Sequence, residues 1–136
     1  MKLTFQKDDL LNGINIVLKA VPSKTTMPIL ECILIDASDN QIKLTANDME
    51  LGIETKVEGS ILSRGKIALD AKLLSEIIRK LSGGESDITI ESDDKYNTTI
   101  TCDNSVFHIQ GKNGDEFSIS PIYLRRIISS VCLSSP

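Results

Sequence analysis

The side chains that could do chemistry in this chain are few, and their spacing argues against it. One histidine, His108, lies between Phe107 and Ile109 in an alternating run. A general base needs a partner within hydrogen-bond reach, and a lone histidine in a strand reads as structural. Asp48 and Glu50 are close enough in sequence to hold a hard cation. Paired carboxylates at a hairpin are more often turn formers. Gly83–Gly84 ends a helical pattern instead of opening one, so no glycine loop is set to cradle a phosphate. Cys32, Cys102 and Cys132 lie far apart without metal-ligand spacing. An odd count with no secretory pattern reads as reduced thiols of the cytoplasm. The expectation is a protein without catalytic residues, metal or cofactor.

The basic residues carry more. With Leu74, Ile77, Ile78 and Leu81 facing a core, Lys72, Glu76, Arg79 and Lys80 point to solvent. Lys7, Lys19 and Lys24 lie on or beside an earlier helix. Two readings stay open. One is a solvated helix face with Glu76 and Lys80 paired at i,i+4. The other is a shallow cationic surface that meets phosphates without reading bases.

The elements that must position these residues come twice. Lys2–Gln6 alternates, with Leu3 and Phe5 on one side, and reads as a strand. Asp8 is the expected N-cap of a helix carrying Leu10, Leu11, Ile14, Val17, Leu18 and Val21, which Pro22 stops. Pro28 launches Ile29–Ile35, a nearly continuous apolar run expected to be a buried strand. Ser38–Asn40 reads as a turn, and strands follow on Ile42, Leu44 and Ala46 and on Leu51, Ile53, Thr55 and Val57, with Asn47–Asp48 turning between them. After a connector at Gly59–Gly65, Lys66–Leu69 is a strand, Asp70 an N-cap and Ala71–Leu81 a helix. Asp87–Glu91, Thr98–Cys102 and Val106–Gln110 complete the second set, joined by turns at Asp93–Asp94 and Asp103–Asn104, with a short strand expected at Phe117–Ser120. Leu10, Leu11, Ile14 and Leu18 match Leu73, Leu74, Ile77 and Leu81 at one offset of 63 residues. Such a fixed period marks a duplicated unit. The fold class expected is α+β: a duplicated strand–helix–strands unit with two helices packed on antiparallel sheets.

Bulk properties agree. The chain has 136 residues, enough for one domain with a sizeable core, and a formal net charge of −4. An acidic total argues against a dedicated nucleic-acid binder, although a local basic face can sit within it. The longest apolar stretch, Ile122–Leu133, is too short to span a bilayer and carries Arg125 and Arg126.

Several motifs, in order, resemble a known family. Thr26-Met-Pro-Ile-Leu30 and the run Ile42–Glu50, Ile-Lys-Leu-Thr-Ala-Asn-Asp-Met-Glu, are similar to the N-terminal domain of the bacterial DNA polymerase III beta subunit, the sliding clamp. The family pattern is Thr-x-Pro-Ile-Leu followed by Leu-Thr-x-(Thr/Asn)-Asp-Leu-Glu, and Met49 stands where leucine is usual. Met1–Phe5, Ala71-Lys72 at a helix start and Ser105–Ile109 fit as well, so the likeness runs from residue 1 to about 119. The resemblance implies a DNA-clamp domain. In the family three such domains make a protomer, and two protomers close into a ring around duplex DNA that tethers the replicative polymerase. It implies sequence-independent DNA contact by Lys24, Lys72 and Arg79, and a ring-closing surface at Ile77, Phe107 and Ile109 that meets another protomer. For those three, plain core packing is the competing reading. The family's peptide pocket for polymerase and clamp loader belongs to a third domain, which is absent here. A stand-alone clamp-fold protein used only for protein contact is the alternative.

Residues 121–136 depart from the family. They hold no acidic residue, whereas residues 1–120 hold all 19 acids and 13 of the 15 basic residues, a net of −6. Such a change suggests a foreign segment after a domain at 1–120. In the neighbouring reading frame, the codons of 121–123 can encode Tyr-Ile and those of 130–136 Ser-Leu-Ser-Gln-Phe-Thr, which looks like the opening of the family's second domain. A one-base shift near codon 120 would produce this. The alternative is a genuine tail that buries Tyr123, Leu124, Ile127 and Ile128 on the sheet.

Overall fold

Alternation places Leu3 and Phe5 on one side of strand β1, Lys2–Gln6, and both are buried. The computed structural model describes residues 1–21, 28–47, 52–81, 87–116 and 127–129. Helix α1, Lys7–Val17, follows β1 directly and buries Leu10, Gly13, Ile14 and Val17. Its start differs from expectation. Gln6 occupies the N-cap without a side-chain bond, and Asp8 and Asp9 sit inside the first turn, where their charge favours the helix dipole. The helix tightens into a 3-10 turn at Leu18–Ala20 and does not run on to Val21.

The apolar run after Pro28 also divides. Pro28–Glu31 is a 3-10 turn, and only Cys32–Asp36 is strand β2. Proline's fixed φ and missing N–H suit the first residue of a helical turn, and a short apolar run cannot by itself separate strand from helix. At the next turn, the Asp36 carboxylate accepts from the Ser38 amide at 2.9 Å and from its hydroxyl at 2.6 Å. Strands β3, Ile42–Asn47, and β4, Gly52–Val57, stand where alternation put them. The Asn47–Asp48 turn runs into residues 48–51, outside the described residues.

The stretch Gly59–Gly65 is more than a connector, because Ser60–Ser63 forms strand β5. Strand β6, Lys66–Asp70, leads into helix α2, Ala71–Lys80. Here the expected cap is real: the Asp70 carboxylate accepts from the Leu73 amide at 2.8 Å, a bond of the kind worth about 1 kcal/mol. Gly83–Gly84 lies outside the described residues. Strands β7, Asp87–Ser92, β8, Asn97–Cys102, and β9, Ser105–Gln110, come next. Two-residue β10, Lys112–Asn113, a 3-10 turn at Gly114–Glu116 and β11, Ile127–Ser129, complete the order. Phe117–Ser120 is outside the described residues, as are Tyr123 and Leu124.

The strands form two sheets, ordered β5-β1-β7-β8-β9 and β10-β6-β2-β3-β4-β11. The leading strand of each half has crossed to the other half's sheet. Strand β1 pairs antiparallel with β7, Leu3 opposite Ile90, and β6 pairs antiparallel with β2, Ile33 opposite Leu69. Both sheets and both helices contribute to a single buried cluster built on Leu, Ile and Phe5.

Burial corrects the repeat register by one residue. At an offset of 63, Leu10 would match Leu73, yet Leu10 is fully buried and Leu73 is 43% exposed. An offset of 64 aligns the starts of β1 with β6 and of α1 with α2. It also pairs Leu10 with Leu74, Ile14 with Ile78 and Val17 with Leu81, all buried. Adjacent leucines at 10–11 and 73–74 made both registers look alike. Beyond the helices the offset falls to 55 at β2/β7 and β3/β8, because α1 is one residue longer than α2 and 14 residues (18–31) link α1 to β2 but only six (81–86) link α2 to β7.

Candidate functional site

Helix α2 is amphipathic: Ala71, Leu74, Ser75, Ile77 and Ile78 are buried, while Lys72, Glu76, Arg79 and Lys80 are exposed. The cations therefore stand on the face that the sequence spacing required. They are not equivalent. The Arg79 guanidinium donates from Nη2 to Asn15 Oδ1 of α1 at 3.0 Å. A planar fork held by one bond keeps its other donors for a second acceptor. Lys7 is engaged differently, its Nζ donating to the Leu81 carbonyl at the end of α2. That cation answers the open carbonyl end of the opposite helix. Among the described residues no ion pair involves Lys72, Glu76, Arg79 or Lys80, so the expected Glu76–Lys80 pair does not form. Lys24 and the Asp48–Glu50 pair lie outside the described residues. Neither Asn15 nor Lys7 carried a signal in the sequence beyond its place on a helix, and both contacts join elements 64 or more residues apart.

A second feature lies at the far edge of the five-stranded sheet. Strand β9 pairs with β8 on one side and has no strand partner on the other among the described residues. An edge of this kind presents a row of unpaired backbone donors and acceptors. Phe107 and Ile109 project from the same side of β9. Ile109 is 7% exposed and Ile77 of α2 is 5% exposed, and half-buried Phe107 packs against the cluster they belong to. Ile77 and Ile109 are thus core residues, and Phe107 lies at the core's margin on the edge strand. Val106, 52% exposed, lies on the opposite side of the strand. His108 shares that side, its Nδ1 3.3 Å from the Thr99 hydroxyl.

Groups suited to catalysis are not assembled among the described residues. No cluster of His, Cys, Asp and Glu has metal-binding geometry there. Burial pushes the Cys32 thiol above its ordinary value, with Lys112 opposing and Asp70 and Glu31 reinforcing. Burial also raises Cys102, helped by Asp103 and Asp87 and opposed by Lys7. Thiols raised in this way are poor nucleophiles. A cleft of about 310 Å³ between β1, α1 and β5 is lined by Asp9, Glu58 and Asp87.

Comparison with known proteins agrees with this geometry. Residues 1–121 match the family model described as DNA polymerase III beta subunit, N-terminal domain. The beta sliding clamp of Synechocystis sp. is 37% identical over 127 residues, covering 89% of this chain and 32% of the clamp. That of Bacillus subtilis is 39% identical over 129 residues, covering 89% and 34%. Among solved structures, a chain from Eubacterium rectale described as a DNA polymerase III beta subunit superposes with a TM-score of 0.85 at 61% identity, covering 89% of this chain and 33% of that one. The Bacillus subtilis sliding clamp gives 0.83 at 36% identity, covering 89% and 33%. The chain spans about a third of the length of the relatives it matches. Fold, motif order and matched length agree, and the chain belongs to the DNA polymerase III beta subunit family through its N-terminal domain.

Proposed function

We propose that this chain is the first segment of a DNA sliding clamp, a non-catalytic accessory of the replicative polymerase. The observation that carries the reading is the match along residues 1–121 to clamps three times as long. In this reading Lys24, Lys72 and Arg79 meet duplex DNA through its phosphates, and Ile77, Phe107 and Ile109 meet a second protomer along the β9 edge. The exposed cations of α2 support Lys72 and Arg79, and the β9 edge, unpartnered among the described residues, supports the second assignment. A few cations acting on phosphates attract DNA without reading sequence, which suits sliding. Polymerase and clamp-loader contacts belong to the longer chain. Cytoplasmic placement goes with this role, and among the described residues no helix is long and apolar enough to cross a membrane.

Residues 1–120 would be the clamp module, and 121–136 a segment foreign to it. The loss of acidic residues after 120 supports that boundary. A stand-alone protein that uses the fold for protein contact is the second reading. It is favoured by β11, which pairs in parallel with β4, Ile128 opposite Ile53, and covers that sheet edge from within the chain. Sequencing the gene across codons 115–136 and beyond tests the boundary. A neighbouring frame that continues into two further domains identifies a shifted clamp, and stop codons there favour the second reading.

DNA binding separates the two functional readings. Anisotropy of a labelled duplex, titrated at several salt concentrations, should show weak binding that falls with salt. Lys72→Ala and Lys24→Ala should each weaken it about two- to fivefold and flatten the salt slope by about one phosphate contact. Binding unchanged by both substitutions sinks the basic-face assignment.

A further inference from the structure

The chain holds two Asn-Gly pairs, Asn12-Gly13 and Asn113-Gly114. Asparagine followed by glycine is prone to a self-reaction. The backbone nitrogen of the glycine attacks Cγ of the asparagine side chain, its proton passes to solvent base, and ammonia leaves from Cγ. The resulting succinimide is opened by water at either carbonyl, giving aspartate or isoaspartate. Water is the sole co-reactant. Glycine helps because no Cβ obstructs the approach.

Both glycines are buried, but the fold holds the two pairs in different elements. Asn12 lies inside α1, and its Gly13 is buried against the sheet. An interior helical amide is committed to the carbonyl four residues back, and helical backbone dihedrals are fixed. A Cβ built on Gly13 would lie 2.6 Å from Val57 Cγ2 and 3.2 Å from Leu44 Cδ1, so α1 lies directly against β3 and β4 here. Attack at Asn12 requires the helix to open.

Asn113 ends the two-residue strand β10 at the margin of the six-stranded sheet, and Gly114 begins a 3-10 turn. The Asp115 amide donates to Asn113 Oδ1 at 3.0 Å. That bond folds the carboxamide back over its own following peptide. It also places an N–H donor on the oxygen where negative charge develops during attack. A short marginal strand is among the cheapest parts of a structure to open. The glycine is itself required: a Cβ at 114 would lie 2.6 Å from Lys66 Cβ and 3.1 Å from the Ile67 nitrogen. Any other residue at 114 would therefore be strained, so the glycine that speeds the reaction is kept by the fold.

We propose that Asn113 is a self-modification site, converting through a succinimide with Gly114 to aspartate and isoaspartate, while Asn12 is protected by α1. Isoaspartate inserts a methylene into the backbone at the end of β10. Either product adds a carboxylate beside Asp115, which pairs with Lys66 at 3.7 Å. The modified chain should loosen β10 from β6, to which it pairs through Lys112–Ala68 and Asn113–Ile67.

The test is incubation of the folded full chain at neutral and at mildly alkaline pH, followed by peptide mass spectrometry with isoaspartate detection. The Asn113 peptide should gain one dalton about tenfold faster than the Asn12 peptide, and faster at the higher pH. In strong denaturant the two rates should converge. Asn113→Gln should abolish the gain in its peptide and leave the Asn12 peptide unchanged. Equal rates in the folded chain, or no gain at Asn113, overturn the proposal. So does an equally large preference in denaturant, because the selection would then not come from the fold.

Discussion

The two halves of this domain share a topology but seat their helices differently. Positions 13 and 77 correspond, and they hold glycine in α1 and isoleucine in α2. Gly13 lets α1 lie close along β3 and β4, with Val57, Leu44 and Thr55 against the position a Cβ would take. The backbone of α2 approaches β6 and α1 but meets β7, β8 and β9 far less. Ile77 is buried in the same core cluster as Ile109, against which Phe107 packs. The first half is closed by helix contact on its face and by β11 along β4. The second half leaves apolar side chains near an unpaired margin. One residue size at one helical position thus accompanies the difference between a half whose last strand is covered and one whose last strand is an edge among the described residues.

The largest test of that comparison is to give α1 the residue of α2. Gly13→Ile has no space, because even a Cβ would be 2.6 Å from Val57 Cγ2. Overpacking on this scale should cost about 3 kcal/mol or more, read as a lowered urea midpoint or as failure to fold. A variant as stable as the parent would show that helix seating does not depend on this glycine. A smaller contrast lies at the helix starts. Asp70→Ala removes a bond to the Leu73 amide and should cost about 1 kcal/mol. Gln6→Ala removes no side-chain cap and should leave the midpoint within about 0.5 kcal/mol of the parent. Equal losses would mean that the cap in the second half is not a real difference.

The smallest effect concerns the β7–β8 turn, where Asp93 accepts from two amides, against one amide for Asp36 at the β2–β3 turn. Slight desolvation pushes the Asp93 carboxyl up, but the amides of Lys95 and Asn97, the Asn97 side chain and the Lys95 charge together hold it below its ordinary value. The amide bonds are 2.8 Å and 3.0 Å long. A carboxylate depressed in the folded state stabilises at pH above its unfolded value and loses that contribution as pH falls through the folded one. Asp93→Asn should therefore melt slightly below the parent at neutral pH, with the gap closing below about pH 4. A gap that persists unchanged into acid would assign the effect to turn shape instead of charge.

Much of this was legible in the chain. Strands β3, β4, β7, β8 and β9 follow alternation, and α2 follows its helical spacing and its aspartate cap. What escaped did so for identifiable reasons. Strand β5 has no buried side to betray it, since Ser60, Leu62 and Ser63 are exposed and Ile61 only half-buried. The turn at Pro28–Glu31 hid inside an apolar run whose length suits either structure. The register of the repeat was blurred by twin leucines and resolved only by burial. At the candidate site, the exposed cations of α2 could be read from periodicity. The bond from Arg79 to Asn15 could not, because it depends on how two helices distant in sequence cross.

The exchange of β1 and β6 between the halves also governs the order in which the chain can be completed. During synthesis β1 emerges first, yet it pairs with β7, 87 residues away at Leu3 and Ile90. Translation at about 5–20 residues per second leaves that strand waiting several seconds for its sheet. A product ending after β4 would carry an orphan first strand and lack β6, the strand that flanks β2. Two such products lack the same strands, so neither can supply the partner that the other's β1 or β2 needs. Interlocking by strand exchange makes the two halves obligate companions, so that premature release yields a sticky half-molecule and not a smaller domain.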